Sequence, residues 1–232
     1  MKLAIMQPYF LPYIGYFQLM ASVDVFVVYD NIKYTKKGWI NRNRMLINGQ
    51  DAIFSLPLKK GADSQSIIDR EITSDFNKKK LLNQFRGAYA KAPFFKDIFP
   101  FVEDVVSYQN DNLFGYLHYS LCKMSELLDI KTRIITSSSL PVDDNLKGQD
   151  KVLSICKALD AKNYINAIGG QALYDSADFE GEGVVLNFIQ SEAIEYTQFS
   201  APFVPWLSIV DLLMFNSLDR VRHWVKYNYS LV

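Results

Sequence analysis

The residues with the most chemistry to offer gather in three stretches. The first is Gln7-Pro8-Tyr9-Phe10-Leu11-Pro12-Tyr13-Ile14-Gly15-Tyr16-Phe17, which follows a short apolar run, Leu3 to Met6. Such a run reads as a strand buried on both faces, and a Pro- and Gly-shaped loop leading from it into a helix offers backbone N–H groups to an anion. Gln7, Tyr9, Gly15 and Tyr16 are the candidate binding residues there. The same loop read structurally is a rigid, aromatic-capped turn.

The second stretch begins at the end of another apolar run, Val25 to Tyr29. It contains Asp30, Lys33, Lys36, Lys37 and then Trp39-Ile40-Asn41-Arg42-Asn43-Arg44. Asp30 could serve as a general base or hold a metal-bound water, whereas Lys33, Lys37 and Arg42 could clamp a phosphate by point charge and by the bidentate guanidinium fork. Asn41 and Asn43 would orient the bound group. A solvated hairpin with ordinary surface charges is the alternative, and it fits the lysines better than the three hydrogen-bonding residues Asn41 to Asn43. The third stretch, Gly169-Gly170-Gln171 with Tyr174, follows the run Tyr164 to Ala167. Two glycines at a strand end let backbone approach a ligand, and a tight strand-to-helix turn would need the same residues.

Several chemistries lack their signatures. The three spaced glycines of a dinucleotide fold, the Gly-Lys-Ser/Thr phosphate loop and the nucleophile elbow are all absent. His118 and His223 sit in amphipathic segments without a Cys, Asp or Glu at metal-ligand spacing, so both read as structural and no metal site is expected. The cofactor, if one is used, is left open. Asp143-Asp144 and Glu180 with Glu182 read as solvated loop residues. The 25 basic and 25 acidic residues cancel, so no global field favours a polyanion and nucleic acid is not an expected partner.

The elements that must position these stretches follow from apolar patterning. Leu3–Met6 and Val25–Tyr29 are predicted as adjacent parallel strands, with a short helix through Ile14, Phe17, Leu19 and Met20 between them. Asn48-Gly49 marks a hairpin over residues 39–58, taken as an added edge of the sheet. Residues 75–130 read as a helical layer or insertion, with Lys78–Ala90 amphipathic, breaks at Pro93 and Pro100, and a helix resuming from Val102 to Leu128. Thr132–Thr136, Tyr164–Ala167 and Val184–Ile189 are further strands, while about 150–159 and Leu207–Val225 are helices. Strands alternating with helices imply an α/β protein: one domain over residues 1–232 with a mainly parallel, doubly wound sheet, an added β-hairpin and a helical middle section. At 49% hydrophobic residues the chain can bury a full core. No apolar stretch is long enough to span a membrane, and Cys122 and Cys156 read as buried free thiols, so a cytoplasmic location is expected.

The order of these residues resembles the WbqC-like protein family. The resemblance is carried by Gln7-Pro8, Pro12, Gly15-Tyr16-Phe17, the Asp24-to-Asp30 strand, Trp39 with Asn41-Arg42-Asn43, and the Gly148-to-Cys156 helix. Tyr164, Tyr174, Tyr196 with Gln198, and Phe203 through Asp211 complete it. It differs from many members in having Met6 where a histidine often precedes Gln-Pro, and Asn166-Ala167 where Ser-Gly is common. The resemblance implies a place in bacterial O-antigen, capsule or modified-sugar synthesis and a small phosphorylated or nucleotide-linked sugar as substrate. It leaves two roles open: a transferase or ligase, with acyl or aminoacyl transfer among the reactions, or a non-catalytic sugar-nucleotide-binding or partner protein. Whether the chain forms a homo-oligomer is also left open.

Overall fold

The computed structural model describes residues 1–199 and 202–232. Strand β1 (Lys2–Met6) enters the loop and helix α1 (Ile14–Ala21), and the chain returns as β2 (Val25–Val28), parallel to β1 with Leu3 beside Val25 and Met6 beside Val28. Both strands alternate between two cores. Ala4, Phe26 and Val28 pack toward α1, whereas Leu3, Ile5, Val25 and Val27 pack toward Val152, Ile155, Cys156 and Phe179 on the other face. Burial on both faces is why these runs carry no polar alternation.

Next come β3 (Arg42–Ile47) and β4 (Gln50–Ser55), joined by Asn48 and Gly49, both at positive φ (52° and 76°), as a two-residue hairpin turn requires. The hairpin is a separate two-stranded sheet and not an edge of the main one. It packs into the helical layer instead, where Phe54 meets Phe85 edge-on at 4.9 Å and Leu46 N–H donates to the Tyr89 hydroxyl. That layer comprises α2 (Lys78–Tyr89), α3 (Phe95–Ser107) and α4 (Leu113–Leu127). Pro100 lies inside α3 rather than ending a helix: it forfeits one backbone bond, and the buried face Ile98, Phe99, Val102, Val105 and Val106 holds the helix together regardless. The helix expected from Val102 to Leu128 is divided, because Asn112 caps α4 through Gly115 N–H after a polar stretch.

β5 (Arg133–Thr136) pairs with β2, then α5 (Gly148–Ala158) carries the chain back across the sheet to β6 (Asn163–Ala167) beside β1. A 3-10 turn (Ile168–Leu173) and α6 (Ser176–Gly181) lead to β7 (Val185–Ser191). Glu180 therefore lies in a short helix, started by Asp175, rather than in a loop. The final helical run is two helices, α7 (Ile209–Phe215) and α8 (Leu218–Tyr227), separated where Ser217 caps α8. Finally β8 (Tyr229–Leu231) adds the antiparallel edge to β7. The sheet order β5-β2-β1-β6-β7-β8 makes the fold doubly wound, with the chain leaving β1 toward one edge and β6 toward the other. Cys156 is buried, Cys122 only half so, and both are free thiols.

Candidate functional site

Where the two halves of the sheet wind apart, their carboxyl ends open a crevice. β1 and β6 are in register only at Lys2 with Asn163 and Leu3 with Tyr164; beyond them Ile5 and Met6 diverge from Asn166 and Ala167. These diverging ends line a cavity of about 610 Å³, inside the usual range for small-molecule sites. Its other walls come from Gln7, Tyr9, Tyr13, Gly15 and Tyr16 of the first loop and α1, from Tyr29 and Ile32 after β2, from the start of α5, and from Ile168 to Tyr174 after β6.

Helix beginnings converge here without caps. α2, α4, α6, α7 and α8 each start with an Asn, Asp or Ser side chain accepting a backbone N–H. By contrast α1 begins at Tyr13, α5 at Lys147 and the 3-10 turn at Ala167, none with a side-chain cap. α3 and the 3-10 turns Ile67–Asp69 and Ser137–Ser139 also start uncapped, but their residues do not line the cavity. First-turn N–H groups left free of side chains are ready donors for an anion.

The described lining residues include no Asp, Glu, Lys, Arg, His or Cys. Their titratable groups are tyrosines, and burial raises the pKa of Tyr9, Tyr13, Tyr16 and Tyr174 above the usual phenol value and that of Tyr29 to about 12. These phenols stay protonated at neutral pH and act as hydrogen-bonding groups. Tyr16 already donates to Gln7 O at 3.0 Å. Gly170 makes room for a neighbour: a Cβ there would stand 3.0 Å from Asn166 Nδ2.

Of the residues singled out in the sequence, Gln7, Tyr9, Gly15, Tyr16, Gly169, Gly170 and Tyr174 line this one cavity, although they come from both ends of the chain. The charged residues of the second stretch do not line it. Asp30 is fully buried and accepts from the hydroxyls of Ser137 and Ser138 and from Ser138 N–H, so it fastens the turn after β5 to the end of β2. Arg42 turns back on its own loop, donating from Nε to Gly38 O at 3.0 Å and from Nη2 to Lys37 O at 2.7 Å, with Trp39 alongside. Lys37 is exposed, Lys33 is an exposed member of a bridge to Ser66, and Gln171 is exposed outside the lining. Asn41 accepts from the Tyr34 hydroxyl and donates to Leu56 O. Asn43 donates to Phe10 O and Leu11 O, and Ser208 Oγ also donates to Leu11 O. Leu11 itself sits at φ 44°, a costly conformation for a branched residue that these bonds hold in place.

Sequence reasoning passed over Tyr13, Tyr29, Gln149 and Asn166 as wall residues. The position of Asn166, three residues before the double glycine, was the available signal. His118 belongs to α4 and comes near enough to Asp30 for that carboxylate to oppose the lowering of its pKa by burial. Among the described residues no three of His, Cys, Asp and Glu lie close enough to hold a metal ion. No helix among them is long and apolar enough to cross a membrane.

An open sheet with a neutral, aromatic cavity at its switch point places the chain among the doubly wound α/β proteins. Within that class the chain belongs to the WbqC-like protein family, which it matches over residues 7–223. A relative from Mycobacterium tuberculosis, the uncharacterized protein Rv1507c, is 27% identical over 229 residues, 97% of this chain and 98% of that protein. No solved structure gives a significant match.

Proposed function

We propose that the switch-point cavity binds a phosphorylated or nucleotide-linked sugar, and that the protein works in bacterial surface-polysaccharide or modified-sugar synthesis. The observation that carries this reading is the meeting of the uncapped starts of α1, α5 and the 3-10 turn in one aromatic-walled cavity. Backbone donors suit phosphate oxygens, tyrosine faces suit a sugar or a base, and the amides of Gln7 and Asn166 suit hydroxyls.

Two roles share this cavity. In a transferase or ligase the tyrosines and amides would orient the sugar for group transfer. In a binding or partner protein they would hold it for a companion enzyme. The described lining, with no carboxylate, imidazole, amine or thiol, favours the second role.

Thermal stabilisation by a panel of sugar phosphates and nucleotide sugars tests the reading. A member of the panel should stabilise the protein, and Ala167→Trp, which fills the cavity, should remove that effect. Stabilisation that survives Ala167→Trp, or none with any member, would exclude this cavity as the sugar site. Turnover of the bound member separates the two roles.

A further inference from the structure

Among the described residues the cavity has no charged lining residue, yet a cation is buried beside it. Lys151 stands in the first turn of α5, three residues after Gly148 and next to Val152, both of which line the cavity. Spacing of three puts Lys151 on the same helix face as Gly148. Its side chain is 3% exposed, and Nζ lies 3.2 Å from Asp144 Oδ1. Nζ also lies 5.6 Å from the centre of the ring of Tyr29, a cavity wall residue.

Two features of this position oppose a cation. The helix dipole disfavours positive charge in a first turn, and burial strips the ammonium of water. The partner does little to compensate: Asp144 is 77% exposed and shares the same oxygen with Asn31 Nδ2 at 2.6 Å. An ammonium has three donors, and Asp144 engages one of them here.

We propose that the end of the cavity bounded by Gly148, Gln149 and Tyr29 is a phosphate subsite. There Lys151 leaves Asp144 and neutralises the phosphate, while first-turn N–H groups of α5 donate to its oxygens. Asp144 is then the counter-ion of the empty site, displaced by the ligand. The inference rests on reading the cavity as a site for a phosphorylated or nucleotide-linked sugar, and it places the phosphate on α5 rather than on α1 or the basic residues near the hairpin.

Calorimetry with inorganic pyrophosphate, a set of nucleoside diphosphates and the matching nucleosides tests it on the wild type, Lys151→Met, Lys151→Arg and Asp144→Asn. Lys151→Met should weaken pyrophosphate and diphosphate binding about ten- to a hundredfold, the scale of one hydrogen bond to a charged group, and leave nucleosides unchanged. Lys151→Arg should retain most of the affinity. Asp144→Asn should bind pyrophosphate as tightly as the wild type or tighter, because it removes the competitor. A merely structural ion pair predicts instead that Lys151→Met and Asp144→Asn fall together. That result, unchanged anion affinity in Lys151→Met, or no pyrophosphate binding to the wild type overturns the proposal. If Lys151→Met does not fold, the sign of the Asp144→Asn effect decides. Pyrophosphate binding that depends on Lys151, with no nucleotide or nucleotide sugar bound, would keep the subsite and end the nucleotide-linked reading.

Discussion

Gly15→Ala separates the stability of α1 from the shape of the cavity. A Cβ at Gly15 would stand 2.5 Å from Cε2, Cζ and Oη of Tyr13, closer than real side chains tolerate. Tyr13 walls the main cavity and also a smaller one of about 270 Å³, where its ring meets Trp206 edge-on at 6.0 Å. Two energies compete in the variant. Alanine in a helix gains about 0.5–1 kcal/mol over glycine. Overpacking usually costs about 1–3 kcal/mol, and the low end applies here because the clashing atoms are the far end of a half-buried side chain facing open volume. The terms nearly cancel, so net stability should change by no more than about 1 kcal/mol. The displaced ring, however, must enter one of the two cavities, so affinity for the proposed sugar phosphate or nucleotide sugar should fall. Urea unfolding and calorimetry on the same preparations measure both. Unchanged affinity with a stability loss above about 2 kcal/mol would refute the argument, since it would mean that Tyr13 cannot move and that Gly15 serves packing alone.

Three further outcomes follow from the same geometry. Arg42→Ala should lose about 1–2 kcal/mol of stability as two bonds to the carbonyls of Gly38 and Lys37 disappear, with ligand affinity unchanged; calorimetry showing a tenfold affinity loss in a fully stable variant would show that the guanidinium reaches the ligand. Asp30→Ala should cost roughly 2–4 kcal/mol by leaving the donors of Ser137 and Ser138 unsatisfied in a buried place; urea midpoints close to the wild type would contradict this. Asp211 is wholly buried, and burial raises its pKa against the opposing hydrogen bonds from Tyr196, Tyr89 and Gln198. Its contribution is therefore full below the ordinary value of 3.8 and is lost as pH rises through the raised folded-state value. The stability advantage of the wild type over Asp211→Asn should accordingly shrink as pH rises from below 3.8 through the raised folded-state value, and an advantage that grows with pH would reverse the sign of the argument.

What could be read from the sequence was local or strongly patterned. The unbroken runs at Leu3–Met6 and Val25–Val28 give their strands away because burial on both faces leaves no polar position. Asn48-Gly49 gives the hairpin because few other pairs accept two positive φ values. Where apolar spacing continued across a break, the break was invisible: α3 and α4 part over Tyr108–Asn112, and α7 and α8 part at Asn216-Ser217, because a cap decides each boundary. Side-chain direction was the other limit. Nothing in Lys37-Gly38-Trp39-Ile40-Asn41-Arg42 says whether the guanidinium points to a ligand or folds back on its own turn, and nothing in Gly148-Gln149-Asp150-Lys151 says that this lysine is buried. Both depend on contacts made far along the chain.

The most distinctive residues near the hairpin and before α7 act by holding the first loop still. Asn43 grips the carbonyls of Phe10 and Leu11, Ser208 grips Leu11 from the opposite end of the sequence, and Ile209 N–H donates to Pro12 O. Trp206, at φ 59°, is pinned through its carbonyl by Arg44. Two residues in unfavourable backbone conformations, Leu11 and Trp206, thus flank the entry to α1, each fixed by bonds from distant segments. A loop that only had to cover the sheet would gain nothing from that strain, whereas a loop that must present Gln7, Tyr9 and Tyr13 to a ligand gains affinity by being ordered beforehand. The geometry of the first loop is therefore set less by the residues that line the cavity than by Asn43, Arg44 and Ser208 behind them, and substitutions at these three should weaken binding of a sugar phosphate or nucleotide sugar, measured by calorimetry, without touching the ligand.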